Sequence, residues 1–327
     1  MSYAPSSWLP GANLMTVAAN VTRPFPRPRG QRQRWELPDG DFLDVDRFAG
    51  RSPDAPLLLV CHGLEGSSRS PYVRGIVAGS LRRGLSALAL NFRGCSGELN
   101  RLPRFYHSGE TGDLSLVVER LAAERPGRPL LLAGFSLGGN VVAKYLGERG
   151  DDLPPEVAAG AVISVPFDLV ACARTLDGPG FWRWLYRERF LRQLRDKALR
   201  KARRFPGAID AAAVRSARTF SEYDEALTAP LHGFASAEDY WTRSGSGRFL
   251  SGVRRPLLCL SAADDPMIPA ESLPVLAARQ NPRVALEVLP AGGHVAFVSG
   301  PPWRPRFWAE ERALDFLVAS LPPAGPH

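Results

Sequence analysis

The chain has 327 residues, 45% hydrophobic and 23% charged, which suits one large α/β domain or two ordinary ones and excludes a disordered or fibrous protein. Its formal net charge of +8 is local: between Phe181 and Phe205 ten Lys and Arg residues face only Glu188 and Asp196, so the surplus belongs to one segment and is not a nucleic-acid-binding composition. No uncharged apolar run approaches the roughly 18 residues needed to span a bilayer, so any membrane association is expected to be peripheral.

The first thirty residues, ending in Arg23-Pro24-Phe25-Pro26-Arg27-Pro28-Arg29, read as an extended arm over the surface. Their beginning lacks early Lys or Arg and is broken by Pro10, Gly11 and Asn13, unlike a signal peptide. Cys61, Cys95, Cys172 and Cys259 are widely spaced, which fits reduced thiols and a cytoplasmic location. Next, Gln33–Leu37 and Phe42–Asp46 alternate in polarity about Pro38-Asp39-Gly40-Asp41, the pattern of an antiparallel hairpin.

From Pro56 onward short apolar runs alternate with helical stretches. The runs are Leu57–Val60, Ser86–Leu90, Leu130–Ala133 and Ala161–Val165; the helices fall near Tyr72–Arg83, Asp113–Glu124 and after Gly139. This order predicts a mostly parallel sheet covered by helices on both faces, with functional loops at the carboxyl ends of its strands. Alternation stops over residues 168–252, which have helical spacing and carry the basic cluster. It resumes with Pro256–Leu260 and Val284–Val288 and closes with an amphipathic helix over Phe307–Leu321. The expected organisation is therefore an arm (1–30), a core (31–167 and 253–322) and a helical lid or cap insertion (168–252). Within the insertion, Trp182, Leu185, Tyr186, Phe190, Leu191 and Leu194 approximate an apolar helix face with arginines elsewhere. That segment reads either as a solvated basic helix or as one resting on anionic lipid.

Chemistry concentrates in Gly134-Phe135-Ser136-Leu137-Gly138-Gly139-Asn140, a Gly-x-Ser-x-Gly elbow between an apolar strand and a helix. Such an elbow presents Ser136 as a nucleophile and aims the N–H of Leu137 at an oxyanion. A serine nucleophile needs a base and an orienting acid, which follow it in the order acid, then histidine. His294, in Gly292-Gly293-His294 after the last strand, is the histidine in the right place; His62, His107, His232 and His327 are not. For the acid, Asp265 fits the frame Asp-Pro-Met-Ile-Pro, while Asp264 is the alternative or a brace of the turn. The loop Cys61-His62-Gly63-Leu64-Glu65-Gly66 offers the N–H of Leu64 as second oxyanion donor.

Several blocks beyond these motifs resemble the YheT-type branch of the α/β-hydrolase superfamily. They are Trp8-Leu9-Pro10-Gly11-Ala12-Asn13-Leu14, Leu37-Pro38-Asp39-Gly40-Asp41-Phe42-Leu43-Asp44, Asn91-Phe92-Arg93-Gly94-Cys95-Ser96-Gly97 and Tyr106-His107-Ser108-Gly109-Glu110-Thr111. The stretch with Asp224, Pro230, His232-Gly233-Phe234 and Asp239-Tyr240 is similar as well. The resemblance implies an α/β-hydrolase fold, a Ser136–Asp265–His294 triad, no cofactor, and hydrolysis of short- to medium-chain or acylglycerol-type acyl esters. Acyl transfer to an alcohol and thioester cleavage would use the same site. A non-catalytic binding protein is the reading from another class, and haloalkane or epoxide chemistry is disfavoured because those sites have Asp in place of Ser136.

Overall fold

The computed structural model describes residues 3–23 and 28–322. Most of the Pro/Arg run of the expected arm, residues 24–27, lies outside them. What precedes it differs from the expectation: Ala12–Thr22 is a helix, α1. Met15 and Ala19, four residues apart, fall on one face of that helix and are buried with Leu9 against Ala296 and Val298. Burying the Met15 side chain alone contributes roughly 2 kcal/mol. That gain orders a segment whose later Pro and Arg content suggested an open arm.

Strands β1 (Gln31–Glu36) and β2 (Phe42–Phe48) form the expected antiparallel hairpin. Six further strands follow: β3 (Leu57–Cys61), β4 (Ser86–Asn91), β5 (Leu130–Phe135), β6 (Val157–Ile163), β7 (Leu257–Ala262) and β8 (Val284–Leu289). Together they make an eight-stranded sheet in the order β1-β2-β4-β3-β5-β6-β7-β8, antiparallel at β1, β2 and β4 and parallel from β4 to β8. The continuous apolar runs become central strands because both of their faces are covered. Leu57, Leu59 and Cys61 face α3 (Gly112–Glu124) and α4 (Leu137–Arg149). Leu58 and Val60 face α2 (Pro71–Arg82) and the closing helix over Trp308–Ala319.

The chain runs from β3 to β4 on one side and returns to β5 on the other side of β3. The carboxyl ends of β3 and β5 therefore flank a crevice at a topological switch point. The loops leaving those two strands are the ones that carry Leu64 and Ser136.

Between β6 and β7 the insertion folds into α5 (Leu169–Asp177), α6 (Phe181–Arg204), α7 (Ala211–Ser216), α8 (Phe220–Tyr223), α9 (Ala229–Leu231) and α10 (Ala237–Ser244). It has its own apolar cluster, built on Leu191, Ala198, Val214, Tyr223 and Trp241. Lys201 of α6 is fully buried and donates to the carbonyls of Leu102, Pro103 and Arg104, fastening the insertion to the core. The short α11 (Val275–Gln280) precedes β8, and the closing helix is α12. Among the described residues no helix is long and apolar enough to cross a membrane.

Candidate functional site

Ser136 sits between β5 and α4 with φ 49° and ψ −121°, a conformation that costs a non-glycine residue on the order of 1–3 kcal/mol. Close packing forces it. A Cβ on Gly134 would lie 2.5 Å from the Gly138 carbonyl oxygen, and one on Gly138 would lie 2.3 Å from that of His62. Only glycine at both positions lets α4 start this near to β5 and β3. The Ser136 N–H is held by the Ile163 carbonyl at 2.9 Å, which leaves the side chain facing the crevice.

The three residues singled out in the sequence meet there. Ser136 Oγ lies 2.9 Å from His294 Nε2, and His294 Nδ1 lies 2.8 Å from Asp265 Oδ2. The other carboxylate oxygen of Asp265 accepts the N–H groups of Met267 at 2.9 Å and Ile268 at 3.2 Å. An ionised carboxylate only accepts, so Nδ1 carries the proton toward Asp265 and Nε2 is left to accept from Ser136. Asp265 is buried while Ser136 and His294 are partly exposed, so the acid is shielded and the other two remain reachable. Asp264 points elsewhere: its Oδ1 accepts from Gly292 and Gly293 at 2.8 and 2.9 Å, bracing the loop that carries His294. Of the two aspartates, Asp265 contacts the imidazole and Asp264 does not.

Leu64 and Leu137 both border Ser136 and His294 in one cleft, and Leu137 is the first residue of α4. The loop around Leu64 is fixed by groups that the motifs did not reveal. Tyr72 Oη accepts from the Gly63 N–H at 3.0 Å. Tyr106 Oη accepts from the Glu65 N–H at 2.8 Å and donates to the Glu65 carboxylate at 2.9 Å. Lys197 of α6 reaches the same carboxylate oxygen at 2.8 Å. Glu65 itself has φ 53°, so a strained residue directly after Leu64 is held by three hydrogen bonds from two side chains.

Residues 56–301 match the family model described as the α/β-hydrolase fold. The chain belongs to the α/β-hydrolase family. It is 37% identical to the YheT protein of Escherichia coli strain K12 over 98% of this chain and 94% of that one, as the motif blocks implied. It is 32% identical to phospholipase ABHD3 of Mus musculus, over 91% of this chain and 74% of that protein. A monoacylglycerol lipase of Saccharomyces cerevisiae is 33% identical over 86% of this chain and 62% of its own length. Among solved structures, the esterase Pf2001 of Pyrococcus furiosus superposes with a TM-score of 0.58, covering 89% of this chain and 92% of that one at 17% identity. That likeness is one of fold.

Two supports of the histidine loop in this α/β-hydrolase lie far away in sequence. The His294 N–H donates to Thr16 Oγ1 of α1 at 2.9 Å, and the Val295 N–H donates to Ser164 Oγ at 3.0 Å. Nothing in the local pattern around Thr16 signals this, because its partner is 278 positions away. The remaining described histidines stay out of the relay. His62 is buried, its ring bridging the Gly63 carbonyl and the Phe92 N–H, and burial pushes its pKa down to about 4. His107 of the core and His232 of the insertion have their rings 4.6 Å apart and tilted by 58°, both pushed down to about 3 by burial.

Two open clefts meet at Ser136. One, of about 650 Å³, runs under the insertion between Leu169, Ala173, Leu176, Phe190 and Ile268 and is mainly apolar. The other, of about 930 Å³, opens between α1 and α6 past Ser70, Tyr72, Arg189 and Gln193. An apolar trough on one side of a hydroxyl and a more polar opening on the other suit a molecule with a chain and a head.

Proposed function

We propose that this α/β-hydrolase is a serine esterase that cleaves carboxylic esters of short- to medium-chain acyl groups, including acylglycerol-type lipids. The observation that carries the reading is the continuous relay Ser136–His294–Asp265, with contacts of 2.9 and 2.8 Å. In the first step His294 Nε2 takes the Ser136 proton while Oγ attacks the ester carbonyl. The N–H groups of Leu64 and Leu137 hold the tetrahedral oxyanion, and Asp265 holds the imidazolium through Nδ1–H. His294 then protonates the departing alcohol, leaving an acyl-Ser136. Water then gives a proton to Nε2 as its oxygen attacks the acyl carbonyl, and His294 returns that proton to Ser136 Oγ as the C–Oγ bond breaks and the acid leaves. The acyl chain occupies the apolar cleft, residues 168–252 serve as its lid, and the leaving group sits in the more polar cleft.

The family relatives named as phospholipase and monoacylglycerol lipase support lipid esters as the substrate class. Acyl transfer to an alcohol or thioester cleavage would use the same acyl-enzyme, and product analysis with added ethanol or with acyl thioesters separates them. The test is hydrolysis of p-nitrophenyl esters from acetate to palmitate together with fluorophosphonate labelling, for wild type and Ser136→Ala. A Ser136-dependent optimum at one chain length is expected, with a drop of several orders of magnitude in the variant. Undiminished turnover in Ser136→Ala, or no labelling of wild type, would overturn the reading.

A further inference from the structure

Arg189, Arg192, Arg200 and Arg203 of α6 fall within roughly 80° of one another at 3.6 residues per turn. All four are exposed, and none makes a hydrogen bond or ion pair with another described residue. Asp196 shares their flank, and the neighbouring Glu188 is engaged by Arg195, so the stripe keeps a clear positive surplus. At the amino end of the same helix Phe181 and Trp184 are 65% and 50% exposed, their rings 6.1 Å apart.

Helix α1 is tied to α6 where Tyr186 Oη donates to Asn13 Oδ1 at 3.0 Å. Leu14, Val17 and Val21, spaced i, i+3 and i+7, form an outward apolar stripe, with Leu14 47% and Val21 73% exposed. Val17 and Arg189 also line the cleft that opens onto Ser136 and His294. One residue of each stripe thus borders the same mouth.

We propose that the outward flanks of α1 and α6 form a single docking face for an anionic phospholipid bilayer, setting the mouth of the Ser136 cleft against the headgroups. The arginines meet lipid phosphates while Leu14, Val21 and Phe181 enter the boundary between headgroups and acyl chains. A nucleic acid or acidic protein would engage the arginines but leave the apolar stripe without a role. The significance for catalysis rests on the ester-hydrolase reading; the docking itself does not.

The test sediments full-chain Ser136→Ala protein, which cannot consume lipid, with vesicles of phosphatidylcholine alone or with roughly a third phosphatidylglycerol. Partitioning onto the anionic vesicles is expected to be on the order of 100-fold stronger at low salt, from about fivefold per unopposed arginine, and to weaken as salt rises. Arg192→Glu/Arg200→Glu/Arg203→Glu removes the preference, and Leu14→Gln/Val21→Gln lowers binding about tenfold. With Ser136 restored, both variants are expected to hydrolyse a soluble short-chain ester at the wild-type rate and to keep the wild-type unfolding midpoint. Equal partitioning onto both vesicle types overturns the proposal. So does binding to duplex DNA or polyglutamate, insensitive to Leu14→Gln/Val21→Gln, without vesicle binding. If anionic vesicles bind but wild type hydrolyses no ester, the docking face stands and the hydrolase reading falls.

Discussion

Replacing Lys197 with Met leaves the Glu65 carboxylate buried beside Tyr106 with no opposite charge. The pair is well enclosed: the side chains are 13% and 5% exposed and 2.8 Å apart. Removing one partner of a buried ion pair costs about 3–5 kcal/mol, because the other charge stays desolvated. The protein can reduce that cost only by swinging Glu65 outward, and Glu65 is already held at φ 53° directly after Leu64. Either response disturbs the Leu64 N–H that we assign to the oxyanion. Loss of one such donor lowers kcat by on the order of 10²–10³. Urea unfolding and p-nitrophenyl ester kinetics read both effects, with a loss of several kcal/mol and a fall in kcat at nearly constant KM expected for Lys197→Met. Lys197→Met/Glu65→Gln is expected to recover most of the stability, since no charge is then stranded. A single variant within about 1 kcal/mol of wild type would refute the buried-pair argument. A destabilised variant with unchanged kcat would instead refute the link between Glu65 and the oxyanion loop.

Other substitutions separate roles that the site geometry distinguishes. Asp265→Asn is expected to lower kcat about 10⁴-fold with little change in stability, because it spoils the His294 tautomer; the smaller loss expected of Asp264→Asn reflects a loosened Gly292–Gly293 turn, and equal losses would refute the division. Thr16→Val removes the acceptor of the His294 N–H and is expected to cost about 1–3 kcal/mol in thermal or urea unfolding, whereas an unchanged midpoint would mean that α1 does not brace the histidine loop. Stability is expected to fall as pH drops below 6.5. His62, His107 and His232 are pushed down to about 4, 3 and 3 by burial, so the unfolded chain binds more protons in that window, and the stability is fully present only above the unfolded pKa. Asp224, raised to about 6 by burial, works in the opposite sense and offsets one of the three. Unfolding free energies at successive pH values should then fall as pH drops from about 6 to 4, by on the order of 1 kcal/mol or more per pH unit. A flat profile would refute this.

Much of the molecule could be read along the chain because the signals are local. A strand buried on both faces must be apolar throughout, so Leu57–Cys61 and Leu130–Phe135 announced themselves, and the hairpin followed from alternation about a turn. The elbow was visible because close approach of α4 to the sheet permits only glycine at 134 and 138. The order of serine, aspartate and histidine after successive strands followed from the same topology. Over Ala12–Thr22 the chain is helical and not extended, although Pro and Arg nearby outweigh two apolar residues one turn apart. What makes Met15 and Ala19 helical is the surface they cover, and Ala296 and Val298 lie at the other end of the chain.

The sequence by itself therefore determined the parallel sheet, the strand-to-helix turn at Ser136 and the candidates Asp265 and His294, since each depends on side-chain periodicity or on backbone conformations that few residues adopt. Tertiary structure alone decided that Asp265 faces the imidazole while Asp264 braces the loop, that Thr16 holds His294, and that Lys197 reaches Glu65 across 132 positions. Hydrogen bonds and ion pairs between distant segments leave no period in the chain. Their partners are chosen by how the layers pack, and a carboxylate or hydroxyl looks the same in sequence whether it finds such a partner or faces water.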